Sequence, residues 1–295
     1  MSSRTAVLTV VGALLGFSLV GDQPLHQGSS ECCEYKPRVG QAGKDVVWVP
    51  TPDLLVEPML RMAGVGSSDY VIDLGSGDGR IVITAAAKFG ARGLGIEYNP
   101  DMVALSIRNA ERAGVAERVK FVEADIFESD FNQATVITVF LLQALNLKLS
   151  PRFLDLRPGT RVVSYAFTME EWQPDQMINV YGENAYLWIV PARVAGTWKA
   201  TVATGSDEEV WTLTVDQEYQ ILTGQVHLGD ESFDLVDARL RGTKISFHFV
   251  DASGAKIEFS GRAFSDRMEG IVRNQGTSLK WSAMRENVRA EVPRT

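Results

Sequence analysis

The stretch Tyr70-Val-Ile-Asp-Leu-Gly-Ser-Gly-Asp-Gly-Arg80 constrains the fold more than any other part of the chain. An apolar run of strand length empties into a loop with glycine at every second position, and a helical pattern follows. Gly75, Gly77 and Gly79 let the backbone turn sharply and let a ligand come close. The chain then repeats the strand–helix rhythm. Strands are expected over 70–74, 93–97, 119–123, 135–141 and 161–166, and helices over 53–63, 79–89, 100–114 and 144–156. Pro52 before Asp53 and Pro100 after Asn99 suit helix starts. Such alternation builds a mostly parallel, doubly wound sheet. Near 177–190 the rhythm changes to a hairpin around Tyr181-Gly182-Glu183-Asn184.

From Gly196 onward the period is two: Trp211, Leu213 and Val215 alternate with polar positions, as do Ile245, Phe247 and Phe249. Turn signals recur every ~8–12 residues, which predicts about eight short antiparallel strands in a small barrel or sandwich. Gly224, Gly242, Gly261 and Gly270 read as punctuation, mostly after a strand-like stretch. The expected organisation is therefore an α/β domain over 45–195, an all-β accessory domain over 196–286 and a tail over 287–295. Ahead of these, Arg4 precedes a run without charge from Thr5 to Gly21, which reads as a signal peptide or membrane anchor over 1–21. Residues 22–44 have linker composition and hold the adjacent Cys32 and Cys33.

Composition removes several functions. The chain has 29 Lys plus Arg against 37 Asp plus Glu, a net charge of −8, so it has no general pull on a phosphate backbone and nucleic acid is not an expected partner. Two adjacent cysteines cannot staple a fold. His26, His227 and His248 are too dispersed for a zinc signature.

The loop itself is acidic. Asp73 and Asp78 would repel a pyrophosphate, so a dinucleotide fits poorly. They suit a ligand that lacks phosphate and carries a positive end. S-adenosyl-L-methionine has an ammonium, a sulfonium, ribose hydroxyls and an adenine. Glu97, at the end of the next strand, is a two-pronged acceptor for ribose hydroxyls. Asp125, after the third strand, can accept from the adenine amine, with Ile126 covering the ring.

The runs Asp73-Leu-Gly-Ser-Gly-Asp-Gly79, Gly95-Ile-Glu-Tyr-Asn-Pro100 and Glu123-Ala-Asp-Ile-Phe127 resemble class I, seven-β-strand SAM-dependent methyltransferases. With Val49-Pro-Thr-Pro52 ahead of the loop, the chain is similar to the branch that includes mitochondrial and archaeal protein-lysine methyltransferases and bacterial relatives. The resemblance covers about half of the chain, over 46–191. It implies a Rossmann-like sheet with an antiparallel seventh strand, which the 177–190 hairpin suggests on its own. It also implies a cofactor set that includes Ser76 and Tyr98 beside the glycines and acids above. The acceptor is then a protein lysine or another amine. A lysine must first lose its proton, since free Lys sits near ~10.4, and a dry aromatic pocket favours the neutral amine. By position Phe140 and Gln143, after the fourth strand, and Thr51 are candidates for the acceptor pocket. Phe140 reads equally well as core. Trp48, Asn146, Ser164 and Trp172 are further candidates for the mouth. Other functions stay open: a small-molecule or lipid methyltransferase, or a SAM-binding envelope module with a structural or ligand-binding β domain. The N-terminal segment implies export or anchoring, with possible membrane association through residues 5–21, whereas S-adenosyl-L-methionine is a cytosolic metabolite.

Overall fold

The computed structural model describes residues 35–204 and 207–286. The expected signal or anchor, most of the expected linker and the tail lie outside the described residues. No helix among the described residues is long and apolar enough to cross a membrane.

Helix α1 (Asp53–Met62) leads into β1 (Tyr70–Leu74), α2 (Arg80–Phe89), β2 (Arg92–Glu97), α3 (Pro100–Arg112), β3 (Val119–Glu123), β4 (Val136–Val139), α4 (Gln143–Leu154), β5 (Arg161–Tyr165), β6 (Gln176–Val180) and β7 (Glu183–Ile189). The strands lie in the order β3-β2-β1-β4-β5-β7-β6. The first five are parallel, and β7 runs antiparallel to both of its neighbours. Local chemistry sets the boundaries. The Asn99 side chain accepts from Asp101 N–H at 2.9 Å and Met102 N–H at 3.3 Å, with Pro100 opening α3. Tyr181 (φ +53°) and Gly182 (φ +92°) form the two-residue turn between β6 and β7, and both central positions are left-handed, as a type I′ turn requires. The strands bury apolar side chains on both faces. Ile72, Leu74, Ile137 and Val139 pack on Phe131 and Phe153, while Val71, Val136 and Val163 pack on α1 and α2.

The second half comprises β8 (Gly196–Thr204), β9 (Asp207–Glu218), β10 (Ile221–Leu228), β11 (Glu231–Asp234), β12 (Val236–Arg241), β13 (Lys244–Val250), β14 (Lys256–Ala263), β15 (Arg267–Asn274) and β16 (Thr277–Arg285). All neighbours are antiparallel, and the pairing of β8 with β16 and of β9 with β10 closes the sheet on itself. Both β11 and β12 pair with β10, and the Leu235 N–H between them donates to Gly224 O. They act as one interrupted strand, so the ring is an eight-stranded closed barrel. Its interior is filled by the period-two residues. Trp198, Trp211, Phe247, Phe249, Phe259 and Trp281 are all buried, and Phe247 stacks on Phe259 with ring centroids 4.7 Å apart. Of the punctuating glycines only Gly242 sits in a turn. Gly224, Gly261 and Gly270 lie inside strands, where the backbones approach so closely that a Cβ on Gly270 would stand 2.0 Å from Ser260 O.

The barrel joins the sheet at the edge where the parallel strands begin. Ala192 N–H donates to Gly242 O at 2.8 Å, and a Cβ on Gly242 would meet Gly159 Cα at 3.1 Å. Tyr219 stacks on Trp172 with centroids 6.1 Å apart and planes 11° apart, and Gln220 Nε2 donates to Gln173 O at 2.6 Å. Tyr219 thereby packs against the α/β core. Truncation after Ala195 removes that cover and exposes Trp172. Loss of the stacked pair alone costs about 0.5–1.5 kcal/mol. The expected result is a lower melting temperature with S-adenosyl-L-methionine binding retained. Lost binding in a folded fragment would contradict it.

Candidate active site

The crevice forms at the opposite edge, outside the C-terminal ends of β1, β2 and β4, where a doubly wound sheet places its ligands. Gly75 (φ +83°), Gly77 (φ +53°) and Gly79 (φ +82°) all adopt the left-handed conformation, and Gly79 caps α2. The turn is pinned from several sides. Gly75 N–H and Ser76 N–H both donate to Ile96 O, at 2.9 and 3.0 Å. Ser106 Oγ donates to Gly77 O at 2.8 Å, and Asn109 Nδ2 donates to Asp78 O at 2.9 Å. Sequence reasoning missed these two tethers. Their signal is a small polar residue, Ser106, on the buried face of α3.

The carboxylates divide by partner. Glu97 accepts from Gly77 N–H through Oε2 and from Asn99 N–H through Oε1, both at 2.9 Å, which fixes it beneath the loop. Asp78 is engaged by Arg80, at 2.6 Å between Nη2 and Oδ2 and 3.0 Å between Nε and Oδ1. The same guanidinium donates to Thr51 O and to Asp53, each at 2.8 Å. Arg80 thus neutralises Asp78 and ties the loop to the entry of α1. Asp73 is buried, and its Oδ1 accepts from Thr138 Oγ1 at 2.6 Å. Burial pushes its carboxyl up to about 7, against the Thr138 hydrogen bond and with smaller contributions from the negative Glu97 and Asp78.

The sign of this shift can be tested. Between about pH 4 and 7 the folded chain holds a proton on Asp73 that the unfolded chain has lost, so this group makes stability fall as pH rises through that window. A cation bound beside Asp73 favours its ionised form. Affinity for the cationic cofactor is therefore expected to rise with pH up to about 7 and then level off, with a proton released on binding below that value. Calorimetry at pH 6 in two buffers of different ionisation enthalpy measures the release. A heat independent of buffer would contradict it.

The stretch 35–44, expected as linker, departs from that reading. Gly40 N–H donates to Trp48 O, Trp48 N–H to Gln41 O and Gly43 N–H to Val46 O, which makes a small hairpin. Its tip brings Lys44 onto Asp125, with the Lys44 ammonium 5.2 Å from the centre of the Tyr98 ring. Lys44 holds the Asp125 carboxyl below the usual carboxylate range, helped by the Phe127 N–H on Oδ1. The hairpin roofs a cavity of about 900 Å³, its open side included. Asp73, Gly75, Ser76, Gly77, Asp78, Glu97, Tyr98, Asp125 and Ile126 line it, together with Trp48, Thr51 and Phe140. Gly79 stands behind the loop instead, where a Cβ would strike Phe121 at 2.8 Å.

Gln143, Asn146, Ser164 and Trp172 are not among the lining residues. Gln143 Nε2 donates to Glu170 at 2.6 Å. Asn146 Nδ2 donates to Ser164 Oγ at 3.1 Å and to Phe167 O at 3.3 Å, which anchors the loop after β5. Trp172 is buried against Trp188 and Tyr219 towards the barrel. Phe140 is both core and lining, and its ring lies 4.2 Å from that of Tyr165.

S-adenosyl-L-methionine fits the residues present. Ser76 Oγ is buried with no hydrogen-bond partner, and Ser76 is among the residues that line the cavity. Gly75 and Gly77 line the cavity, where a Cβ on Gly77 would stand 2.6 Å from the Trp48 indole nitrogen, and Asp73 and Glu97 have no cationic partner among the described contacts. The fold and the cavity define a class I SAM-dependent methyltransferase.

Comparison with known proteins narrows the class. Residues 73–176 match the ANTKMT methyltransferase domain. A protein-lysine N-methyltransferase of Saccharolobus islandicus (strain REY15A) is 42% identical over 151 residues, which is 49% of this chain and 94% of that protein. The chain belongs to this family of protein-lysine N-methyltransferases. An adenine nucleotide translocase lysine N-methyltransferase of Mus musculus is 39% identical over 123 residues, which is 40% of this chain and 51% of that protein. A solved structure of an RNA methyltransferase from Salinibacter ruber with S-adenosyl-L-homocysteine is 48% identical, covers 50% of this chain and 96% of that one, and has a TM-score of 0.49.

Proposed function

We propose that the chain transfers the methyl group of S-adenosyl-L-methionine to the side-chain amine of a protein lysine. The observation that carries the acceptor class is the likeness to the archaeal protein-lysine N-methyltransferase, which extends over 94% of that relative. An RNA acceptor finds no support in a chain of net charge −8.

Bound cofactor supplies a methyl group already activated on a sulfonium. The chain's own residues bind, orient and exclude water. Backbone at Gly75–Gly77 and the carboxylates of Asp73 and Glu97 would hold the polar parts of the cofactor, and Asp125 and Ile126 would hold the adenine end. Phe140, backed by Tyr165, offers an apolar wall that favours the neutral form of an incoming amine. Tyr165 donates to Glu183 at 2.6 Å, and burial pushes its hydroxyl up to about 12, so it keeps its proton at neutral pH and is not the base. Rate enhancement then rests on proximity and orientation. This reading includes anchoring or export through residues 5–21, and protease accessibility on intact cells reports on which side the domain lies.

The test incubates the full chain with methyl-labelled cofactor and a cell extract. Label that protease releases and nuclease or lipid extraction does not is the expected result. Label confined to RNA, lipid or small molecules would overturn the reading.

A further inference from the structure

The chain leaves β5 through a strained turn. Ala166 holds φ at +66°, a region that residues with a Cβ seldom enter, and Phe167 N–H donates back to Tyr165 O at 2.8 Å. A three-residue turn of this hand is rare. Such a conformation persists only where its surroundings over-determine it. Here they do. Ala166 N–H donates to Asn184 O on β7 at 2.9 Å. Phe167 O accepts from Ser164 Oγ at 2.7 Å and from Asn146 Nδ2 at 3.3 Å, and both Asn146 and Ser164 are fully buried. Two buried polar side chains thus converge on one loop carbonyl, where an apolar pair of similar volume would need no partners at all.

What the turn holds in place is aromatic. Tyr165 and Phe167 flank Ala166, and their rings lie 4.2 and 6.4 Å from the ring of Phe140. Phe140 lines the cofactor cavity, whereas Tyr165 and Phe167 are not among its lining residues. The backbone at Ala166 therefore sets the packing behind a ring that borders the cavity.

We propose that the 165–167 turn orients the methyl acceptor by holding the Phe140 ring, and that Phe167 is a positioning residue that acts through Phe140. The proposal rests on the reading of Phe140 as the wall met by the incoming amine, and adds the device that holds this wall. Methyl transfer needs the acceptor nitrogen in line with the bond from sulfur to methyl. A Phe140 ring that has lost its backing is free to turn, which widens the approach and admits water.

The experiment measures two quantities on the full chain: the affinity for S-adenosyl-L-methionine by calorimetry, and the rate of methyl transfer to a cell extract at saturating labelled cofactor. Phe167→Ala is expected to lower the rate about tenfold or more while the affinity stays within about twofold of native. Phe167→Tyr keeps the ring and should restore most of the rate. Ala166→Val puts a branched side chain at φ +66° and should lose rate as Phe167→Ala does, whereas Ala166→Gly takes that φ freely and should recover most of it. Gln275→Val puts the same branched residue at φ +45° in the turn between β15 and β16, and should leave the rate unchanged. A native rate in Phe167→Ala or in Ala166→Val would overturn the proposal. So would equal losses of rate and cofactor affinity, which mark general damage, or a Phe167→Tyr variant as slow as Phe167→Ala. No labelling by the native chain would overturn both this proposal and the lysine reading. The expected variant pattern on label that lies outside lysine counts against the lysine reading and not against the turn. Lysine labelling that the variants leave unchanged counts against the turn alone.

Discussion

Gly77→Val abolishes S-adenosyl-L-methionine binding while the barrel stays folded. Two effects combine at this position. The backbone holds φ at +53°, a region that a β-branched residue almost never enters. A Cβ would also stand 2.6 Å from the Trp48 indole nitrogen and 3.7 Å from Met102 Cε. The clash displaces the Trp48 ring from the roof or the loop from Glu97, and either change reshapes the cavity. Gly64→Val separates the two effects. Gly64 has φ +62° but no atom within 4 Å of an added Cβ, so that variant carries the backbone strain without the clash. Calorimetric titration is expected to give no binding heat for Gly77→Val and near-native affinity for Gly64→Val. The barrel packs its own aromatic cluster, so its near-UV signal should persist in both. Native affinity in Gly77→Val would mean that the loop is a plain turn.

Glu97→Ala weakens the same binding by about ten- to over a hundred-fold, the equivalent of roughly 1.5–3 kcal/mol for a lost charged acceptor. The structure gives this carboxylate two jobs. It would accept from the cofactor, and it already accepts from Gly77 and Asn99 N–H, so its loss leaves two donors without a partner beneath the loop. Glu97→Gln should fall close to the alanine variant, because its amide nitrogen faces one of those donors with hydrogens of its own. Unchanged affinity in Glu97→Ala would remove Glu97 from the cofactor site.

What could be read in the sequence follows the range of the interactions. The seven strands of the α/β half, its hairpin and the spacing of Asp73, Glu97 and Asp125 rest on local periodicity and on one loop motif, and the strand order puts the three acids at one edge. The antiparallel strands of the second half were legible from their period of two for the same reason, whereas their closure into a barrel rests on the pairing of β9 with β10. The roof was not. Its hairpin is held by a few backbone bonds and by the contact of Lys44 with Asp125, 81 residues away, and no pattern within 35–44 foretells that contact. Arg80 reads as part of the first turn of a helix, although its side chain joins Asp78, Thr51 and Asp53. Gly261 and Gly270 read as turns because their role, the close approach of paired strands, belongs to the closed barrel and not to either strand alone. Trp172 was among the candidates for the mouth. The loop after β5 instead carries it across to the barrel side, where Tyr219 covers it.

The most direct test of the account is the chemical position of the transferred methyl group. The full chain, methyl-labelled cofactor and extract are combined, and the labelled polypeptide is isolated and fragmented by mass spectrometry. The account predicts methyl mass on a lysine side chain, present with the native chain and absent with Gly77→Val. A methyl on a nucleobase, on a lipid or on another side chain, or equal labelling by Gly77→Val, would contradict it.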